Sequence, residues 1–219
     1  MIMSHLIAPS LLSADFSNLK KDIEMVNDSE ADWFHLDIMD GHFVPNISFG
    51  IPVVKSIKKY AKKTLDVHLM ITNPEDYIEK FIQAGADIIT IHVEACKENT
   101  SYILKEIKER NIKAGLAINP NTDYNVIENY INLIDMVCLM GVFPGFGGQN
   151  IIDSTFLRCK NIREIISKNG ENCYLEVDGG VTAENAKKLL QSGADVLVAG
   201  SYVFRSNDPK DSISMLKNL

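Results

Sequence analysis

The chain has 219 residues, of which 46% are hydrophobic and 23% charged. That suffices to enclose one sizeable core and is too apolar for a disordered chain. The formal net charge of −7, with no basic stripe, excludes the electrostatics of a nucleic-acid-binding surface, and no apolar run reaches the ~18 residues of a membrane span.

The N-terminal stretch Met1–Ser10 has no basic segment followed by a long apolar one, so no export signal is expected. Cys96, Cys138, Cys159 and Cys173 form no C-x-x-C pair. Their spacing suits reduced thiols in the cytoplasm, not a zinc ribbon or a disulfide framework.

Short β-rich runs alternate with amphipathic helical patterns. In chain order, a strand at Leu6–Pro9 leads to a helix over Phe16–Val26, with Ser13-Ala14-Asp15 as capping residues. Strands at Trp33–Ile38 and Thr64–Met70 follow, then a helix over Pro74–Ala84 behind Asn73, and a strand at Asp87–Val93. A helix over Ser101–Arg110 precedes strands at Lys113–Ile118 and Met136–Met140. A helix over Asp153–Lys168, a strand at Cys173–Val177, a helix over Ala183–Gln191 and a strand at Val196–Ala199 complete the series, with a short helix at Tyr202–Phe204. Three helix exits look alike: Gln83-Ala-Gly-Ala-Asp87, Gln191-Ser-Gly-Ala-Asp195 and, more weakly, Asn27-Asp-Ser-Glu-Ala-Asp32. In the first two, glycine supplies the left-handed position after a helix.

Eight strand-plus-helix units of about 27 residues predict an α/β chain folded as a single TIM (β/α)8 barrel over residues 1–219. The alternative, an open doubly wound sheet, lacks the G-x-G-x-x-G turn expected after its first strand.

In such a barrel the chemistry lies at the C-terminal ends of the strands. Strand two runs His35-Leu36-Asp37-Ile38-Met39. Alternation puts His35 and Asp37 on one face and the apolar Leu36 and Ile38 on the other, which suits the helix-covered outside. The same parity pairs His68 with Met70 on strand three and Glu176 with Asp178 on strand seven; strand four ends His92-Val93-Glu94. Two histidines and two carboxylates can then converge at the mouth, a donor set for Zn²⁺, Fe²⁺, Mn²⁺ or Co²⁺. Met39, Met70 and Met140 would form an apolar collar, or simply fill core. A second signal is glycine. Pro144-Gly145-Phe146-Gly147-Gly148-Gln149, Gly179-Gly180 and Gly200-Ser201 follow strands six, seven and eight. These neighbouring loops offer bare backbone N–H groups to an anion where barrels of this kind hold phosphate.

Over essentially its full length the sequence resembles the ribulose-phosphate 3-epimerase family. The matching stretches are Ala8-Pro-Ser-Leu-Leu-Ser-Ala-Asp15, His35-Leu-Asp-Ile-Met-Asp-Gly-His-Phe-Val-Pro-Asn46, Asp66-Val-His-Leu-Met70, Asn119-Pro-Asn-Thr122, Pro144-Gly-Phe-Gly-Gly-Gln149, Glu176-Val-Asp-Gly-Gly-Val181 and Val198-Ala-Gly-Ser201. The resemblance implies interconversion of D-ribulose 5-phosphate and D-xylulose 5-phosphate in the pentose phosphate pathway. It implies one divalent metal, zinc first among the candidates, on His35, Asp37, His68 and Asp178, with Asp37 and Asp178 as the acid/base pair. Ser10 and His68 would touch substrate, and the phosphate would sit on Gly145, Phe146, Gly147, Gly148, Gly179, Gly180, Gly200 and Ser201. A homo-oligomer with no membrane or nucleic-acid partner is expected. One stretch departs: where the family usually reads Met-Ser/Thr-Val-Asn/Glu-Pro, this chain reads Met140-Gly-Val-Phe-Pro144, which would put Phe143 near the mouth.

Epimerisation beside a ketone needs a proton taken from one face of C3 and delivered to the other, and carboxylates on opposite walls suit base and acid. Two readings remain beside it: an allulose-6-phosphate 3-epimerase, and a non-catalytic sugar-phosphate-binding barrel. Residues 42–46, 94–97 and 144–149 are expected to form a flexible cover, the last moving most.

Overall fold

The computed structural model describes residues 5–169 and 172–219; residues 1–4, on which part of the reading of the N-terminus falls, lie outside it. Its eight strands are β1 (Leu6–Pro9), β2 (Trp33–Met39), β3 (Thr64–Met70), β4 (Ile88–His92), β5 (Lys113–Ile118), β6 (Met136–Met140), β7 (Tyr174–Asp178) and β8 (Val196–Ala199). All pair in parallel, in the order β1-β8-β7-β6-β5-β4-β3-β2. A bridge from Ser10 to His35 returns β1 to β2 and closes the expected barrel. Around it lie α1 (Leu19–Asn27), α2 (Ile51–Lys58), α3 (Ile78–Ala84), α4 (Val93–Cys96), α5 (Thr100–Glu109), α6 (Ser154–Lys168), α7 (Ala183–Gln191), α8 (Ser201–Phe204) and α9 (Pro209–Lys217). Among the described residues, no helix is long and apolar enough to cross a membrane.

The departures from expectation have local causes. Helix α1 starts at Leu19, not Phe16, because the Asp15 carboxylate accepts from the Ser17 N–H and hydroxyl and holds a turn there; before it, Ser10 caps a separate 3-10 turn over Leu11–Ser13. Helix α3 starts at Ile78 behind another such turn, Pro74–Asp76, and Asn73 holds the left-handed conformation without capping. Strand β4 stops at His92, and Val93 opens α4. Strand β7 sits one residue later than predicted and so includes Asp178. The β5–β6 connection carries 3-10 turns, Tyr124–Asn129 and Ile131–Leu133, so the units are not equal. Helices α2 and α9 are additional; α9 is capped by Asp208, whose carboxylate accepts from the Asp211 N–H.

Outward residues such as Leu36, Ile38, Val67, Leu69, Leu139 and Val177 pack under the helices in one continuous core. Inside the barrel, Ala8, Trp33, Ile88, Met136, Val196 and Val198 form an apolar cluster, of which Val198 reaches the cavity at the mouth.

The recurring helix exits end in a shared device. Asp32, Asp87, Asp135 and Asp195 each immediately precede an even-numbered strand. Their carboxylates accept the backbone N–H of Ile7, Leu65, Ala114 and Leu175 on the odd-numbered strands, at 2.8, 2.8, 2.9 and 2.8 Å. Each also pairs with a cation: Lys217, Lys58, Lys108 and Arg163 respectively. The glycines behave as expected at two exits, with φ of 105° at Gly85 and 106° at Gly193. The third closes through Asp28 at φ −87° and needs no left-handed residue.

Candidate active site

Register brings the predicted side chains together. His35 pairs with Asp66 and Asp37 with His68 across β2 and β3, and Met140 pairs with Asp178 across β6 and β7. His35 Nε2 lies 3.3 Å from Asp37 Oδ1 and 3.7 Å from Asp178 Oδ2. His68 Nδ1 lies 3.3 and 3.4 Å from the same two oxygens. Four ligands at zinc-like bond lengths around a tetrahedral centre stand roughly 3.4 Å apart, so the donor set fits one divalent ion. His35 Nε2 is buried without a hydrogen-bond partner among the described residues, which suits a nitrogen that ligates a cation. The cluster could hold a divalent metal.

Its electrostatics agree. Burial opposes the charge on His35, but the carboxylates of Asp37 and Asp66 outweigh it and hold the imidazole well above its ordinary value. Burial likewise opposes the charge on His68, and Asp178 and Asp37 raise it. Burial would push the Asp37 and Asp178 carboxyls up, yet the two imidazoles hold both below the usual carboxylate range. Two carboxylates thus stay charged and demand positive charge between them, which protons on the histidines or a bound cation can supply. Beneath them, His35 Nδ1 lies 2.6 Å from Asp66 Oδ2. Glu176, fully buried alongside, is pushed well above its ordinary value by burial and by the Asp66 charge.

Above the cluster opens a cavity of about 290 Å³ lined by Ser10, Asp37, Asp178, the three methionines, Gly145, Phe146, Gly147, Gly148, Gly179, Gly180, Gly200 and Ser201. The three glycine loops therefore share one chamber with Asp37 and Asp178. The tight turns hold their shape through left-handed residues, with φ of 108° at Gly179 and 71° at Gly180. A Cβ at Gly180 would stand 2.4 Å from the Ile151 nitrogen. Met39 and Met70 pack with Val44 on one side and Met140 with Ala117 and Cys138 on another, so the methionines do form an apolar rim.

The chain matches the model of the ribulose-phosphate 3 epimerase family over residues 6–204. It is 43% identical over 213 residues to the ribulose-phosphate 3-epimerase of Synechocystis sp., covering 97% of this chain and 93% of that one. It is 44% identical over 212 residues to that of Bacillus subtilis, covering 96% and 97%. It belongs to the ribulose-phosphate 3-epimerase family. Among solved structures, 3-hexulose-6-phosphate synthase from Salmonella typhimurium aligns with a TM-score of 0.74 over 97% of each chain at 17% identity, a likeness of fold alone.

The stretch that departs from the usual epimerase pattern has a steric explanation. A Cβ at Gly141 would lie 2.4 Å from the Gly179 carbonyl oxygen, and the Gly141 N–H donates to the Asp178 carbonyl at 2.6 Å. On this backbone glycine lets the ends of β6 and β7 close together. Phe143 is half exposed and does not line the cavity; its carbonyl accepts from Gln149. The expected bulk at the mouth is thus turned outward.

The 144–149 loop is braced by Asn46, whose Nδ2 donates to the Gly145 carbonyl at 2.7 Å. The proposed cover segment 94–97 is instead mostly helix α4, and Glu94 is bound in place: it accepts from the Asn119 N–H at 2.8 Å and from the Thr122 hydroxyl. Three further residues belong to the site and were not singled out for it. Ser13 Oγ lies 3.3 Å from Ser201 Oγ at the glycine corner. Arg205 lines the same cavity beside Gly148. His92 meets His68 edge to edge, Nε2 to Nε2 at 2.8 Å. Ser13 stands inside a matching family stretch, and His92 ends a strand with inward parity; Arg205 carries no sequence signal beyond its closeness to Ser201.

Proposed function

We propose that the chain interconverts D-ribulose 5-phosphate and D-xylulose 5-phosphate. The observation that carries this is the convergence of His35, Asp37, His68 and Asp178 in the cavity that the glycine loops of β6, β7 and β8 also line. The backbone N–H groups around Gly147, Gly148, Gly180 and Gly200, with the Ser201 hydroxyl, would hold the phosphate. The sugar would then extend toward the acid pair. One carboxylate, Asp37 or Asp178, removes the C3 proton, and the other returns a proton to the opposite face. Negative charge develops meanwhile on the ketone oxygen as an enediolate. When bound to the four ligands, a divalent ion would supply Lewis-acid stabilisation of that charge. The imidazole and carboxylate donors favour Zn²⁺, with Fe²⁺, Mn²⁺ and Co²⁺ as alternatives. Ser10 donates to Asp37 and faces the same chamber. The methionine rim keeps water away from the carbanion. The whole chain acts as one catalytic domain.

A coupled assay for xylulose 5-phosphate tests the reading, run on protein with measured metal content. Chelation is expected to abolish turnover, and re-addition of one of the four ions to restore it. Full turnover in protein shown to be metal-free would overturn the metal assignment. Faster turnover of allulose 6-phosphate than of ribulose 5-phosphate would favour the hexulose reading.

A further inference from the structure

Strand β4 ends in His92, and Glu94 stands two residues on, yet the proposed chemistry uses neither. His92 is completely buried. Its ring lies edge to edge with that of His68 and nearly coplanar, with centroids 5.0 Å and planes 21° apart, and the tilted Phe43 ring packs against it at 4.8 Å. His68 Nε2 and His92 Nε2 are 2.8 Å apart. On the far side of the ring, His92 Nδ1 lies 3.1 Å from Glu94 Oε2. The other oxygen of Glu94 is held at 2.8 Å by the Asn119 N–H and by the Thr122 hydroxyl, so the carboxylate cannot swing away.

With His68 Nδ1 as a metal ligand, these contacts leave one place for each proton. His68 turns Nδ1 toward Asp37 and Asp178. A neutral imidazole that offers Nδ1 as a ligand carries its proton on Nε2. That proton can only be given to His92 if His92 Nε2 is bare. His92 must then carry its own proton on Nδ1, which points at Glu94. A carboxylate there accepts it and has no proton of its own to offer, so the opposite tautomer of His92 would set lone pair against carboxylate. The order Glu94–His92–His68 therefore has one consistent arrangement, and it leaves the His68 Nδ1 lone pair aimed between the two aspartates.

We propose that His92 and Glu94 are positioning residues, a carboxylate–imidazole relay that sets the tautomer and the aim of His68 toward the metal. The proposal rests on the reading of His68 as a ligand and extends it to two residues outside the ligand set. Orienting partners of this kind typically contribute 10- to 100-fold to metal affinity, on the order of the effect expected here.

The test compares Glu94→Gln, His92→Phe and His92→Gln with the native protein and with His68→Ala. Zinc affinity is read by competition with a chromophoric chelator, and geometry by the visible absorption of the Co²⁺-loaded protein. Circular dichroism checks folding. Glu94→Gln keeps the shape of the side chain, but its amide oxygen cannot serve both His92 and the Asn119–Thr122 pair. His92→Phe keeps a flat ring in that place and removes both nitrogens. Each is expected to weaken zinc binding about 10- to 100-fold and to shift the Co²⁺ bands. His92→Gln places a carbonyl oxygen where Nε2 stood and should recover part of the loss, which a purely structural role for the ring would not predict. If His68→Ala weakens zinc binding while Glu94→Gln and His92→Phe leave both affinity and Co²⁺ spectrum native, the relay is wrong and the ligand reading survives. If His68→Ala also leaves affinity unchanged, the ligand reading fails and takes the relay with it.

Discussion

Ser10 Oγ lies 2.5 Å from Asp37 Oδ2, while Oδ1 of the same carboxylate meets His35 and His68. The two oxygens of one residue thus have separate tasks, one toward the cluster and one held by a hydroxyl. The Ser10–His35 bridge that closes the barrel is what places this hydroxyl. A hydrogen bond to a charged group contributes about 1.5–3 kcal/mol, so Ser10→Ala is expected to lower kcat/KM roughly 10- to 100-fold. Metal content should stay native, because Oδ1 is untouched. Steady-state kinetics with metal analysis on the same sample checks both, and an unchanged kcat/KM would remove Ser10 from the mechanism.

Gly147 is the cleanest probe of the anion corner. It is absent from the positive-φ glycines, so alanine is not strained there. Its Cβ would stand 3.3 Å from Ser13 Oγ and 3.5 Å from Ser201 Oγ, within the space a phosphate needs. Gly147→Ala should therefore raise KM for ribulose 5-phosphate about tenfold or more with a smaller effect on kcat, the pattern of lost ground-state binding. Arg205→Ala should raise KM in the same direction, and that increase should shrink at high salt because the residue is exposed. Native KM in Gly147→Ala would show that the phosphate lies elsewhere.

The aspartate anchors concern stability alone. Asp195 accepts the N–H of the fully buried Leu175 at 2.8 Å and pairs with Arg163. Asp195→Ala leaves that N–H unpaired, a loss of about 2 kcal/mol. For a chain of this size that is a fall in Tm of roughly 4–8 °C. Activity of the folded fraction at low temperature should remain native, since Asp195 precedes its strand and the site lies at the strands' other ends. Loss of activity without loss of Tm would contradict the assignment.

The strand pattern was legible because inward and outward residues alternate with different chemistry: His35 and Asp37 against Leu36 and Ile38. Glycine loops were legible because their backbone needs are stated by residue type. Helix α2 was not, since eight residues hold barely two turns of pattern and Gly50 before it reads as loop. The role of Asp135 was hidden because no glycine marks its exit, although it makes the same bonds as Asp87. His92 and Glu94 were visible as a strand end, but their partners Asn119 and Thr122 stand 25 and 28 residues away from Glu94. Contacts at that separation depend on barrel stagger, which the spacing along one strand does not encode.

The thiols should be inert in the folded protein. Burial pushes Cys96, Cys159 and Cys173 up to about 12, and Cys138 well above its ordinary value. Reactivity follows the thiolate, so a raised value withholds it until the pH nears that value. At pH 8 the thiolate fraction of such a group is roughly 1 in 10⁴, about a thousandfold below a free cysteine. Iodoacetamide labelling followed by mass spectrometry should show no rapid modification before unfolding and four modified cysteines after it. One cysteine reacting at the free-thiol rate in folded protein would contradict this.

The acid pair makes the sharpest prediction. Through the Ser10–His35 closure, β2 and β7 are separated by β1 and β8 on one side of the ring and by β3 to β6 on the other. Asp37 and Asp178 therefore approach the chamber from different walls, and a sugar anchored at the β6–β8 loops reaches between them. On the proposed two-base reading, each epimer offers its C3 hydrogen to a different carboxylate. Asparagine removes the proton carrier while keeping an oxygen for the cluster, so either Asp→Asn change should lower epimerisation by about 10² to 10⁴. The two variants should differ in what survives. In D₂O, Asp37→Asn and Asp178→Asn are expected to retain residual C3 exchange with opposite epimers, read by NMR of recovered ribulose and xylulose 5-phosphates. Exchange of the same epimer by both variants would mean that one carboxylate serves both faces. Native-rate epimerisation by either would mean that the proton is carried by another group of the cluster.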